Sequence, residues 1–370
     1  MLRRNLSVTP INFKTEKKKG GSVVATPDDQ KLFVMSHTPT ISIGLPVFNG
    51  ARYLREAIED FLRQTYTDFE LIVSDNASTD ETEAIVREVS ERDERIRYVR
   101  NNTNIGALPN SNRVFELAQG RYFCLAAHDD RHAPNFLERL VAVLEENPDA
   151  VLAYGRTTLI GEEGEALRKD PATGKYVSSD GQLVWCGQDL ERPMPVETVS
   201  RYRAVLRSSD VNAPIHGLYR RDILAEIGGH QIHGSDRLIV SYAALLGRFV
   251  FVDAALFAFR IHADSTLFLD RDAWAERETA RADPLSPVST LITFMNYVRV
   301  VRRSPLSAAE RMRAYMATLG YAVRPTALRN TFLPGLDNYF GWQRWPWQRK
   351  AKTQFTAPSA SANSTKGIHA

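Results

Sequence analysis

"ISIGLPVFNGARYLREAIEDFLRQTYTDFELIVSD", residues 41–75, contains the change of period on which the fold turns. Its two ends, "ISIGLPVF" (41–48) and "FELIVSD" (69–75), are short, largely apolar runs that stop at polar residues, as strands buried on both faces do. Between them Leu54, Ala57, Ile58, Phe61 and Leu62 recur at helical spacing, which gathers them into one apolar stripe. The stretch therefore reads as strand, helix, strand.

The same alternation continues downstream. Ser78 with Glu81 forms a capping-box pattern ahead of Ile85, Val86 and Val89, and "IRYVR" (96–100) follows as a third strand. A helix over roughly 109–118 closes at Gly120, and "YFCLAA" (122–127) makes a fourth strand. Pro134 opens a helix carrying Leu137, Leu140, Val141 and Leu144, and "AVLAYG" (150–155) makes a fifth strand. Repeated βα units predict an α/β fold, a mostly parallel sheet flanked by helices, with ligands bound outside the carboxyl ends of the strands. Residues 156–214 lose the alternation. Order returns at "APIHGLYRRDILAEIGGH", followed by a helix from about Asp236 and two strands. Leu291, Phe294, Met295 and Val298 then mark an amphipathic helix. Ser307 with Glu310 caps another, which carries Met312, Tyr315, Met316 and Leu319. This pair is expected to pack back on the preceding domain or to cover its ligand site.

Composition narrows the class. With 370 residues, 43% of them hydrophobic and 25% charged, the chain can bury a large core without staples. Cys124 and Cys186 lie far apart and form neither a metal nor a redox motif, which points to a reducing compartment and a cytoplasmic location. A net charge of +3 is too small and too mixed in sign for a nucleic-acid binder. No run approaches the roughly 20 apolar residues that span a bilayer. "YFGWQRWPWQRK" (339–350) interleaves aromatic and basic residues, which suits either packing with a solvated rim or peripheral contact at the inner face of a membrane.

The chemistry concentrates in "LAAHDDRHAP" (125–134), where the fourth strand ends in two adjacent carboxylates, Asp129 and Asp130. Like charges about 4 Å apart repel by about 1 kcal/mol in water and about 4 kcal/mol at the effective dielectric of a protein surface. A divalent cation, Mn²⁺ or Mg²⁺, relieves that conflict and is commonly shared with substrate phosphates. A helix-capping Asp129 beside a solvated Asp130 is the plainer alternative. No glycine-rich phosphate loop of the Walker or dinucleotide type is present.

The ordered set "PVFNG", "SDNASTD", "NIG", "HDD", "SD" and "RIHADST" resembles the family 2 glycosyltransferases of GT-A fold, densely over 41–155 and more thinly to about 266. The resemblance implies a metal-dependent, inverting transferase. It would move a sugar from a nucleotide-sugar donor, a UDP-sugar foremost, to the hydroxyl of a glycan or lipid-linked acceptor in polysaccharide, glycolipid or cell-envelope glycan synthesis. It further implies that Pro46, Val47 and Asn49 line the nucleotide pocket with Asp75 accepting from the base. Asp129 would lie near the ribose and donor, Asp130 and His262 would hold the metal, and Asp236 would be the general base. His128 stands where the family's motif has its first aspartate, and Ser235 where a glutamate is usual. Ser78 and Asp80 read as scaffold, and Trp185 as a core residue or a sugar-stacking platform.

The organisation expected is a disordered basic leader over 1–38, a GT-A domain over 39–270, a helical extension over 271–350 and a disordered tail over 351–370. The GT-A domain divides into a nucleotide-sugar half, 39–155, and an acceptor half, 156–270. Two rivals remain. A sugar nucleotidyltransferase would carry a glycine- and arginine-rich loop where this chain has "PVFNGARYL". A non-catalytic nucleotide-sugar-binding module would be expected to lack the base, and Asp236 is present.

Overall fold

The computed structural model describes residues 37–172, 176–177, 183–185, 192–208, 212–227, 235–262 and 287–323. The leader up to residue 36, the aromatic segment 339–350 and the tail 351–370 lie outside the described residues.

The opening unit folds as β1 (Ile41–Val47), α1 (Ala51–Leu62) and β2 (Phe69–Asp75). Every residue of β2 is buried, and Ile41, Ile43 and Leu45 of β1 are wholly so. Burial of such side chains contributes about 1.5–3 kcal/mol each. α2 (Thr82–Ser90), β3 (Ile96–Arg100), α3 (Ala107–Leu117) and β4 (Tyr122–Leu125) continue the alternation. The expected capping box at Ser78 is absent: α2 begins at Thr82, and Ser78 is used elsewhere. A short β5 (Arg131–His132) and α4 (Phe136–Glu146) lead to β6 (Ala150–Ile160). Three short strands, β7 (Arg168–Lys169), β8 (Tyr176–Val177) and β9 (Leu183–Trp185), form a small antiparallel sheet within the stretch that lost its period. The chain then runs through α5 (Thr198–Arg207), α6 (Asn212–Ile215), β10 (Leu218–Arg220), α7 (Arg221–Ile227), α8 (Ser235–Leu246) and β11 (Arg248–Arg260). The last described elements are α9 (Pro287–Arg303) and α10 (Ala308–Ala322).

Among the described residues the main sheet has eight strands in the order β3-β2-β1-β4-β10-β6-β11-β5. The β1–β2, β1–β4, β2–β3 and β6–β11 pairs are parallel. β10 pairs antiparallel with both β4 and β6, and so separates the fourth and fifth predicted strands. The two strands expected after α8 are one, β11, with register shifts between Val252 and Phe257 where it bends against β6. One face of the sheet packs on α1, α2 and α4 through Leu54, Ile58, Phe61, Val86, Leu137 and Leu140. The other packs on α3 and α5–α8, and α9 and α10 share that second core through Tyr297, Val301 and Ala314. Of the two placements expected for the terminal helices, packing back on the domain is the one observed. The capping box of α10 is present as read, with Ser307 and Glu310 each satisfying the other's backbone.

Candidate active site

The carboxyl ends of β1, β2 and β4 lie side by side, because these strands are parallel neighbours, and folds of this kind bind ligands in the crevice outside those ends. The loops after β1 and β2 are tied together by side chains. Asn49 N–H donates to Ser78 Oγ at 2.9 Å, and Asn49 Oδ1 accepts from Thr79 N–H at 2.8 Å. Gly50 N–H donates to Thr82 Oγ1 at 3.0 Å and Ala51 N–H to Asp80 Oδ2 at 3.0 Å. Asn49 and Ala77 both sit at positive φ, 50° and 62°, at the tips of these two turns. Non-glycine residues tolerate that region only where their surroundings enforce it.

Asp75 is fully buried with both carboxylate oxygens engaged. Oδ1 accepts from Ser78 N–H at 2.8 Å and Oδ2 from Tyr98 OH at 2.8 Å, and Arg100 pairs with Oδ2 as well. Asp75 thereby braces the turn that carries Asn76 to Ser78. Behind it four asparagines, 76, 101, 104 and 110, bond to one another and fix the entry into α3. No local pattern in the sequence marks that network, whose members lie up to 34 positions apart.

The two adjacent carboxylates are resolved by pointing in different directions. Asp129 keeps about a fifth of its side chain exposed, and its Oδ2 lies 2.9 Å from His262 Nε2. Asp130 is 1% exposed, and its Oδ1 accepts from Arg260 N–H at 2.9 Å. Burial by itself would raise the Asp129 pKa, but the flanking His128 and His262 bring it well below the ordinary carboxylate range. Asp130 is pushed well above that range, first by burial and then by the neighbouring Asp129 charge. Its Oδ2 has no hydrogen-bond partner among the described residues.

Arg260, which drew no attention in the sequence, lies beneath this turn and is 2% exposed. Its Nε donates to Asp129 O at 2.7 Å, one terminal nitrogen donates to Glu162 O at 2.9 Å and the other to Glu56 Oε2 at 2.9 Å. The guanidinium lies 4.6 Å from the centre of the Tyr53 ring, and that ring lies 5.0 Å from the His262 ring. An arginine closing the apolar run "AALFAF" (254–259), two positions before His262, was the available signal.

The two carboxylates thus have different surroundings: Asp129 meets His262 and keeps part of its side chain exposed, while Asp130 is held inside by the backbone of β11. A carboxylate and an imidazole nitrogen 2.9 Å apart suit a shared Mn²⁺ or Mg²⁺. No group of three His, Cys, Asp or Glu converges among the described residues. Diphosphate oxygens and water would therefore have to complete such a coordination shell. Asp236 is exposed in the first turn of α8. That helix leads back into β11, so its first turn points toward the carboxyl end of the sheet. Its charge is felt at the buried Tyr219 of β10, whose hydroxyl is raised well above its usual pKa mainly by burial. Pro46 and Val47 end β1 beside this crevice.

The family model described as glycosyl transferase family 2 matches residues 42–228, which includes Asp75, Asp129 and Asp130 and stops before Asp236 and His262. An uncharacterized glycosyltransferase of Rickettsia felis is 38% identical over 151 residues, 40% of this chain and 23% of that protein. Another, from Methanocaldococcus jannaschii, is 32% identical over 133 residues, 35% of this chain and 46% of that protein. The matched segment spans less than half the length of either relative. Among solved structures, residues 1–349 of S. aureus TarS in complex with UDP-GlcNAc superpose with a TM-score of 0.57 at 17% identity, covering 81% of this chain and 77% of that one. At that identity the likeness is one of fold.

Proposed function

The chain belongs to glycosyl transferase family 2, and from that premise we propose that it transfers a sugar from a nucleotide-sugar donor, a UDP-sugar foremost, to an acceptor hydroxyl with inversion at the anomeric carbon. The observation that carries the proposal is the Asp129–His262 contact at 2.9 Å, which joins residues 133 positions apart at the mouth of the crevice. Pro46, Val47 and Asn49 line the nucleotide pocket, and Asp75 supports it from behind by holding the neighbouring turn. Asp129 and His262 face the donor diphosphate, and they are the residues that would hold a Mn²⁺ or Mg²⁺. Such an ion, when bound, offsets the negative charge that grows on the departing diphosphate.

Asp236 is an exposed carboxylate in the first turn of α8, where an acceptor can reach it. It takes the proton from the acceptor hydroxyl as the oxygen attacks the anomeric carbon. The bond from that carbon to the diphosphate breaks on the opposite face, so a single displacement inverts the configuration and needs no covalent nucleophile. Arg260 holds the turn carrying both carboxylates in register with β11. The exposure of Asp236 favours a transferase over a silent nucleotide-sugar-binding module. The acceptor we propose is a glycan or lipid-linked glycan of the cell envelope. No described helix is long and apolar enough to cross a membrane. Peripheral contact through 339–350 is part of the proposal and lies outside the described residues.

The test is donor binding and hydrolysis over a panel of UDP-, GDP- and dTDP-sugars, with and without Mn²⁺. One donor should bind in a metal-dependent way. Asp129→Asn should abolish that binding, and Asp236→Asn should keep it while lowering turnover by about 10²–10⁴. If no nucleotide sugar binds under any metal condition, the transferase reading fails.

A further inference from the structure

The terminal helix pair has a second apolar face that is exposed among the described residues. In α10 the buried side is Ala314 and Thr318, which pack toward α5. On the outer side Met312, Met316, Leu319 and Val323 recur at spacings of four, three and four, and are 62%, 61%, 47% and 52% exposed. They form one stripe about 17 Å long at 1.5 Å per residue. α9 repeats the arrangement, with Tyr297 and Val301 inside and Leu291 and Met295 exposed. Single exposed apolar residues are ordinary, but a continuous stripe on a helix whose other side is already packed points to a contact surface.

The charges around the stripe indicate what the surface meets. Residues 287–323 hold five arginines and a single acidic residue, Glu310. Arg302 follows Leu291 by eleven positions and Met295 by seven, so it continues their face of α9, and it is exposed. Arg311 and Arg313 flank Met312 at about 100° to either side of the α10 stripe. Arg313 is paired with Glu197 at 3.3 Å, which ties the rim to the domain. A second copy joined by a two-fold axis would oppose this patch to itself and bring its arginines against their like. The chain's own continuation, 324–370, carries seven lysines and arginines against one aspartate, so its charge does not complement the patch. An anionic lipid surface fits both features, since apolar side chains enter the acyl boundary while arginines extend to the headgroups.

We infer that the outer face of α9 and α10 docks reversibly on anionic lipid bilayers. This does not depend on the transferase reading.

The experiment is co-sedimentation of the full chain with phosphatidylglycerol vesicles and with phosphatidylcholine vesicles, at low and high salt. Four forms are compared: the unmodified chain, Met316→Glu with Leu319→Glu, Arg302→Glu with Arg303→Glu, and Trp342, Trp345 and Trp347 each changed to Ser. The altered helix positions are exposed, and unchanged far-ultraviolet circular dichroism and melting temperature should confirm that these variants fold. The unmodified chain should sediment with phosphatidylglycerol and much less with phosphatidylcholine, and salt should weaken the binding. Each helix pair should lower binding by about tenfold or more, while the tryptophan variant keeps a measurable salt-sensitive fraction. The inference is overturned by no sedimentation of the unmodified chain, by unchanged binding of Met316→Glu with Leu319→Glu, or by complete loss in the tryptophan variant. It also fails if the unmodified chain is a dimer in solution and Met316→Glu with Leu319→Glu makes it a monomer, which would assign the stripe to a second copy.

Discussion

At the scale of single residues, this site distributes its charges through partners remote in sequence. Asp129 and Asp130 adjoin in the chain, yet one meets an imidazole and the other a backbone N–H of β11. Arg260 holds the carbonyl of the first and, through its own backbone, the carboxylate of the second. Arg260→Lys keeps the charge but loses the planar fork, so Mn²⁺ affinity measured by titration calorimetry in the presence of UDP should fall by about 10–100-fold. A second residue makes stability pH-dependent. His132 is enclosed by Phe61, Phe136 and Phe257 at ring distances of 4.4, 4.8 and 5.4 Å, and neither ring nitrogen has a hydrogen-bond partner among the described residues. Burial, with a smaller contribution from His216, lowers its pKa to about 3. The unfolded chain titrates near 6.5, so between those values it binds the extra proton, and stability falls as pH drops by up to about 1.4 kcal/mol per unit. His132→Phe should flatten that slope, as read from urea midpoints between about pH 6.5 and about pH 4.5.

At the scale of elements, close packing and capping should dominate the response to substitution. Gly44 lies where β1 meets α3 and β4, and a Cβ there would sit 2.6 Å from Val114 Cγ2 and 2.7 Å from Phe123 Cζ. Gly44→Ala should therefore cost about 1–3 kcal/mol through overpacking, visible as a lowered denaturant midpoint at constant slope. Ser307→Ala removes the side-chain acceptor for Glu310 N–H at the start of α10 and should cost about 1 kcal/mol. Its effect on nucleotide-sugar binding should be nil, because α10 packs on α5 and takes no part in the crevice.

At the scale of the whole molecule, the terminal helices and the sheet share a core. Tyr297, Val300, Val301, Leu306 and Ala314 belong to the same buried cluster as Tyr202, Val205 and Tyr219. Unfolding of the described portion should thus be one cooperative transition, with near- and far-ultraviolet circular dichroism coinciding, and without a separate melting step for α9 and α10. Tyr297→Ala, which empties a side chain that is 2% exposed, should lower stability by about 3–5 kcal/mol across that single transition. An early, separate loss of helix signal would show that the pair folds as its own unit.

What could be read in the chain alone was what neighbours within a few residues determine. The alternation from 41 to 155 gave β1 through β4, β6 and the helices among them, because periods of 2 and 3.6 are local properties of a strand or helix. That also placed "HDD" at a carboxyl end, and the capping box at Ser307 was legible for the same reason. The family motifs supplied Asp129, His262 and Asp236 as candidates. The surroundings that separate Asp129 from Asp130 depend on contacts across 130 to 133 positions, which no window contains. Ser78 shows the same limit: its pattern with Glu81 suits a helix cap, but its hydroxyl is taken by Asn49 from another loop. The insertion of β10 between β4 and β6, and the joining of two expected strands into a bulged β11, followed from how the sheet closes. A side chain's neighbours along the chain set its local conformation, whereas the charge state and reach of a buried carboxylate are set by whatever folding brings against it.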